Sequence, residues 1–118
     1  MKYIIYHNKM CSKSRSALNF MIDKNIQLEV IEYLKNKLTS DDLRRIIKIL
    51  NVNPIDIVRV KDIYWKENYK KEYDSGCISH SKLIDILIKH PILIERPIVL
   101  YGNKGVVARP LEKINFLF

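Results

Sequence analysis

The chain has 118 residues, 47% hydrophobic and 29% charged, the balance of a folded globular protein and not of a disordered segment. A single domain over residues 1–118 is expected, long enough to bury about two-thirds of the surface its unfolded chain exposes. The formal charge is +8, but the lysines scatter along the chain instead of forming a basic face, so no nucleic-acid partner is expected.

In chain order, KYIIY (2–6) is β-branched and aromatic and reads as a short buried strand. HNKMCSKS (7–14) is a polar loop. From Ser14 to Asn25, Ala17, Leu18, Met21 and Ile22 recur at helical spacing. LEVIEYL (28–34) alternates and reads as a second strand. The clearest helix is TSDDLRRIIKIL (39–50), with a hydroxyl cap, two aspartates in its first turn and Leu43, Ile46, Ile47 and Leu50 on one face. NPIDIVRV (53–60) reads as a short helix with Pro54 in its first turn. Residues 62–78 show no clear period, and YDSGC (73–77) is a loop. HSKLIDILIKH (80–90) is a helix stopped by Pro91. PIVLY (97–101) and GVVAR (105–109) are strands of a hairpin joined by GNK, and LEKINFLF (111–118) is a last short helix.

Strand, helix, strand, helices, hairpin and helix define an α/β class: a small mixed four-stranded sheet covered by helices. No apolar run approaches the ~20 residues of a membrane-spanning helix. MKYIIY is too short for a secretory signal and NFLF is no prenylation box, so a cytoplasmic location and no membrane partner are expected.

The two cysteines, Cys11 and Cys77, are far apart and neither belongs to a Cys-x-x-Cys pair, so no structural metal is expected. Cys11 falls between the first strand and the first helix. There the unpaired first N–H groups and the helix dipole stabilise a thiolate, and can lower the pKa well below the free ~8.5. His7, Lys13 and Arg15 all lie within four residues of it, and Ser12 and Ser14 offer hydrogen bonds to sulfur or to a bound anion. Most free cysteines are small buried hydrophobes, but a polar, basic loop is a poor place for one.

A second constellation lies downstream. Arg96 precedes Pro97 where the hairpin begins, and Arg109 precedes Pro110 where it ends, so the hairpin can return both to one end of the sheet. Arg59 follows the short helix at mid-chain. Guanidinium forks match the oxygens of a tetrahedral oxyanion in a way that lysine cannot, although spacing alone would leave each arginine an ordinary surface residue.

The blocks YHNKMCSKSR, EYLKNK, IVRVKD and HPILIERPIVLYGNKGVVARPLE, in this order, resemble the glutaredoxin-linked arsenate reductase (ArsC) family, especially its short YfgD-like members. The resemblance runs from about residue 3 to residue 116. It implies a thioredoxin-like fold with a helical insertion between the second and third strands. It implies Cys11 as nucleophile, Arg59, Arg96 and Arg109 as the arginines around the oxyanion, and His7 and Ser14 as residues that tune the thiolate. It also implies a cis Arg96–Pro97 bond beside the cysteine, arsenate as substrate, glutathione as co-substrate, glutaredoxin as partner, and no bound metal or organic cofactor. The chain departs from the family pattern at Lys9 and Lys37, where proline is usual, at Trp65, where tyrosine is usual, and in a somewhat longer 68–78 segment. Every implied catalytic side chain remains.

Other classes fit less well. Spx-type regulators commonly carry a Cys-x-x-Cys pair at the first helix, where this chain has Ser14. Phosphatase-type reductases need an arginine six residues after the cysteine, where this chain has Ala17. A thioredoxin-fold thiol oxidoreductase or Spx-like regulatory protein that does not use arsenate is the alternative left open.

Overall fold

The N-terminal aromatic and β-branched run forms β1 (Tyr3–Tyr6) in a computed structural model that describes residues 1–118. β2 (Leu28–Ile31), β3 (Ile98–Tyr101) and β4 (Lys104–Val107) join it in one sheet of order β2-β1-β3-β4. β1 and β2 run parallel, whereas β3 is antiparallel to both β1 and β4. The helices are α1 (Ser12–Asp23), α2 (Ser40–Leu50), α3 (Ile63–Asn68), α4 (Lys70–Asp74) and α5 (His80–Lys89). Short 3₁₀ turns occupy Pro54–Ile57, Pro91–Leu93 and Leu111–Leu117. The mixed four-stranded sheet agrees with the sequence reading, and α2 to α5 form the insertion between β2 and β3.

Alternation along the strands decides what each face buries. Ile4, Tyr6, Ile98 and Leu100 face the larger core, built with Leu43 and Ile46 of α2 and Leu83 and Leu87 of α5. Ile5 and Val99 face the opposite way, onto Ala17 and Met21 of α1 and Ile114 and Leu117 of the C-terminal turn. The sheet is thus covered on both sides, and its strand ends are what remain available for chemistry.

Helix α2 shows how local sequence fixes an element. The Thr39 hydroxyl accepts from the Asp42 N–H at 3.1 Å, and the Asp42 carboxylate accepts from the Thr39 N–H at 3.0 Å. That reciprocal box satisfies two of the helix's free donors, and the Thr39 contacts hold the Asp42 carboxyl below its ordinary value. At the other end Asn51 adopts the left-handed conformation (φ 57°) that closes a helix. Gly105 lets the helix approach β4, since a Cβ there would meet Leu100 Cδ2 at 2.5 Å and Leu50 Cδ2 at 3.1 Å. Thr39→Ala should lower unfolding free energy by about 1 kcal/mol, read as a shift in the urea midpoint at unchanged slope. An unchanged midpoint would mean that packing alone fixes the start of the helix.

Several boundaries differ from the sequence reading. β2 ends at Ile31 instead of running to Leu34, because residues 32–36 turn: the Lys35 and Asn36 N–H groups both donate to the Glu32 carbonyl. The short helix at 53–60 is a 3₁₀ turn that stops at Ile57, leaving Val58 extended. The aperiodic 62–78 segment forms α3 and α4, each too short to show a period, with Trp65 buried beneath them. The hairpin loop is two residues, Gly102-Asn103, and Lys104 already pairs with Tyr101. Gly102 takes the positive φ (61°) required at the first position of such a turn.

Candidate active site

Strand order brings four chain segments to one edge of the sheet. The C-terminal end of β1 leads into the loop carrying Cys11, and β2 ends beside it, with His7 N–H bonded to the Ile31 carbonyl at 2.8 Å. Because Tyr6 pairs with Ile98, the start of β3, and hence Arg96, lies at the same edge. Ile98 pairs with Val107, and Ala108 N–H reaches the Pro97 carbonyl at 2.9 Å, so Arg109 returns alongside Arg96. Both Arg96–Pro97 and Arg109–Pro110 are cis. Arg59 arrives separately through a bridge between Val58 and Ile94, flanked by Arg59 N–H to Leu93 O and Glu95 N–H to Ile57 O, each 2.7 Å.

Cys11 is the residue at the N-terminal boundary of α1, with extended dihedrals (φ −99°, ψ 122°) and a partly exposed side chain. Burial pushes its thiol up. The backbone N–H groups of Ser14 and Lys13 and the Arg96 guanidinium more than offset this, so the thiol lies below its ordinary value. The thiolate is therefore favoured by the first turn of the helix and by one arginine that also faces the site. We expect alkylation of Cys11, followed against pH in a Cys77→Ser background, to show its inflection below ~8.5. An inflection at or above that value would contradict the assignment.

The loop that presents the thiol is tied down from beneath. His7 and Ser14 are both buried, with His7 Nδ1 and Ser14 Oγ 2.6 Å apart. Ser14 Oγ also accepts from the Asn8 N–H at 3.0 Å. The Ser14 hydroxyl is therefore engaged below the loop, and what Ser14 presents to sulfur is its backbone N–H. Burial lowers the His7 pKa, with Glu32 opposing and Arg15 adding to the shift, which keeps the imidazole neutral at pH 7. Asn8 Oδ1 accepts from Met10 N–H at 3.0 Å, and Arg15 Nη1 donates to the Lys9 carbonyl at 2.8 Å. Those two bonds hold the loop where the family pattern would have a proline. The Lys9 amine lies beside that of Lys35, which keeps it below the ordinary lysine value and adds positive charge near the loop.

The three arginines are held differently. Arg96 is 8% exposed and donates from Nη1 to the Ile92 carbonyl at 3.0 Å, while its Nε has no partner. Arg109 Nη1 donates to the Arg96 carbonyl at 3.3 Å. Arg59 pairs with Asp62 at 3.4 Å, a long contact that leaves most of its donors free. Arg59 and Arg109 line a cleft of about 320 Å³ with Val60, Lys61, Asp62 and Glu95. That lining is almost wholly charged, with three cations to two carboxylates, and suits a small anion better than an apolar ligand. Cys77 lies in the segment between α4 and α5, exposed, with the Ser75 hydroxyl 3.3 Å from its sulfur.

Sequence reasoning assigned no role to Tyr33. It follows β2 by two residues, is 1% exposed, and its hydroxyl lies close enough to Arg96, Cys11 and Arg59 to feel their charges. The signal was the tyrosine in EYLKNK, hidden because LEVIEYL reads as one uninterrupted strand.

A parallel β1–β2 pair extended by an antiparallel hairpin, with a cysteine where β1 enters α1, makes this a thioredoxin-like fold. Within that class the chain belongs to the ArsC family, whose sequence model matches residues 6–116. It is 38% identical over 111 residues to an arsenate reductase of Neisseria meningitidis serogroup B, covering 93% of this chain and 92% of that protein. It is 35% identical to the YfgD protein of Escherichia coli K12, covering 93% and 91% of the two chains. The solved structure of an arsenate reductase from Vibrio cholerae matches it with a TM-score of 0.90 at 32% identity, over 100% of this chain and 98% of that one.

Proposed function

We propose that this protein reduces arsenate to arsenite through a covalent arseno-thiol on Cys11. The observation that carries the reading is an acidic Cys11 thiol with the Arg96 guanidinium against it, and Arg109, whose Nη1 donates to the Arg96 carbonyl, lines a charged cleft with Arg59. Relatives named arsenate reductase, at up to 38% identity over nearly the whole chain, support the choice of substrate.

Arsenate near pH 7 is an oxyanion with two negative charges, and Arg59, Arg96 and Arg109 neutralise and orient it. The Cys11 thiolate attacks arsenic, an S–As bond forms, and hydroxide or water leaves. Arsenic is still As(V) at this point. Glutathione, the co-substrate, supplies the second thiol. When its sulfur bonds to the Cys11 sulfur and the S–As bond breaks, the two electrons of that bond pass to arsenic, and arsenite departs. Glutaredoxin, the protein partner, then exchanges the mixed disulfide and restores the thiolate. His7 and Ser14 act through the loop, fixing the direction of the Ser14 N–H toward sulfur.

The test is a coupled assay in which glutathione, glutaredoxin, glutathione reductase and NADPH are combined with arsenate, phosphate, sulfate or selenate. NADPH oxidation should require arsenate, glutathione and glutaredoxin together. Turnover of a glutathione mixed disulfide without any arsenate-dependent oxidation would replace this reading with that of a thiol oxidoreductase.

A further inference from the structure

In the whole molecule only two buried side-chain polar atoms lack a hydrogen-bond partner, the Tyr33 hydroxyl and Arg96 Nε. Both are at this site, and both have a proton to donate. Buried polar groups are almost always paired, because an unmatched one loses its bonds to water and gains nothing in return. Two unmatched donors facing one site point to an acceptor that arrives from outside.

We propose that Tyr33 touches the substrate: its phenol O–H donates a hydrogen bond to an oxygen of the oxyanion that Arg96 holds beside Cys11. This rests on the oxyanion site described above and adds to it a neutral donor.

Placement supports the assignment. β2 stops at Ile31, at the edge where β1 delivers Cys11, and the turn that follows swings Tyr33 under the site instead of into solvent. The ring itself packs in the larger core, which fixes where the hydroxyl points. The Arg96 guanidinium can only donate toward the phenol oxygen and has no acceptor to offer, so the phenol O–H itself stays free. The Cys11 sulfur already receives the Ser14 and Lys13 N–H groups and the Arg96 guanidinium. Burial pushes the phenol up to about 12, so it stays protonated at neutral pH and serves as a donor, not a base. No proton changes hands. The bond strengthens as charge gathers on the oxygen leaving arsenic.

Tyr33→Phe removes the hydroxyl and keeps the ring. Arsenate binding is measured by calorimetry on the Cys11→Ser protein with and without Tyr33→Phe, and kcat/KM is measured on wild type and on Tyr33→Phe alone. We expect binding and kcat/KM to weaken by about tenfold to a hundredfold. The ligand-free melting temperature should hold or rise, because a buried O–H without an acceptor is gone. The pH inflection of Cys11 alkylation should not move. Equal arsenate affinity in the two proteins overturns the proposal, leaving the phenol a packing group. An upward shift of the Cys11 inflection with unchanged affinity also overturns it, assigning the hydroxyl to the thiolate. Wild type that binds arsenate without reducing it ends the reductase reading alone, and the affinity comparison then still decides the role of Tyr33.

Discussion

Cys11→Ser should abolish arsenate-dependent turnover, while Cys77→Ser should retain most of it. Serine fits the space of cysteine, so the loop, with its Ser14–His7 and Asn8–Ser14 bonds, should survive the change. The chemistry should not. An alcohol at the start of α1 stays protonated where the thiol ionises, and an oxygen cannot form the mixed disulfide that the proposed mechanism requires to deliver two electrons to arsenic. The rate should therefore fall to the uncatalysed background, a loss of at least about a thousandfold. Cys77 has no comparable setting: it is exposed, between α4 and α5, with only Ser75 hydrogen-bonded to its sulfur. Mass spectrometry of protein trapped during turnover should find glutathione on Cys11 and not on Cys77. Equal loss of activity in the two serine variants would instead require both thiols in one intramolecular dithiol cycle.

The parts of this site that could be read from sequence are those fixed by local rules. Cys11 had to lie at a strand–helix junction, because an apolar strand ends at Tyr6 and a helical period begins a few residues later. Arg96 and Arg109 had to meet if PIVLY and GVVAR formed a hairpin, since antiparallel pairing returns the chain to the edge it left. Arg59 carried no such guarantee. It reaches the site only through the bridge from Val58 to Ile94, a non-local contact that no periodicity announces. The Ser14 hydroxyl was equally illegible, because whether it turns toward sulfur or toward His7 depends on how the loop folds over β1. Tyr33 was concealed by strand alternation running past the true end of β2. The turn that ends the strand is set by two N–H groups converging on the Glu32 carbonyl, and no glycine or proline marks it.

Arg96→Lys and Arg109→Lys should each lower kcat/KM for arsenate by about one to two decades, equivalent to about 1.5–3 kcal/mol of lost transition-state stabilisation. Charge alone does not explain the site, because lysines already abound on this chain. Geometry does. A guanidinium presents several donors in one plane, and Arg96 commits Nη1 to the Ile92 carbonyl while its Nε and the rest of the fork remain for an anion and the thiolate. Lysine at 96 would have to choose between the Ile92 carbonyl and the oxyanion, and its single ammonium cannot bridge two oxygens and sulfur together. Arg109→Lys loses the bond that ties Arg109 to the Arg96 carbonyl, so its effect should fall mainly on KM as the oxyanion is oriented less well. The Arg96 variant should lower kcat as well, because Arg96 also favours the thiolate form of Cys11. Circular dichroism and thermal melts should show both variants folded, which separates a lost contact from a lost fold. Wild-type efficiency in both would mean that these arginines serve the hairpin and not the anion, and that arsenate binds elsewhere.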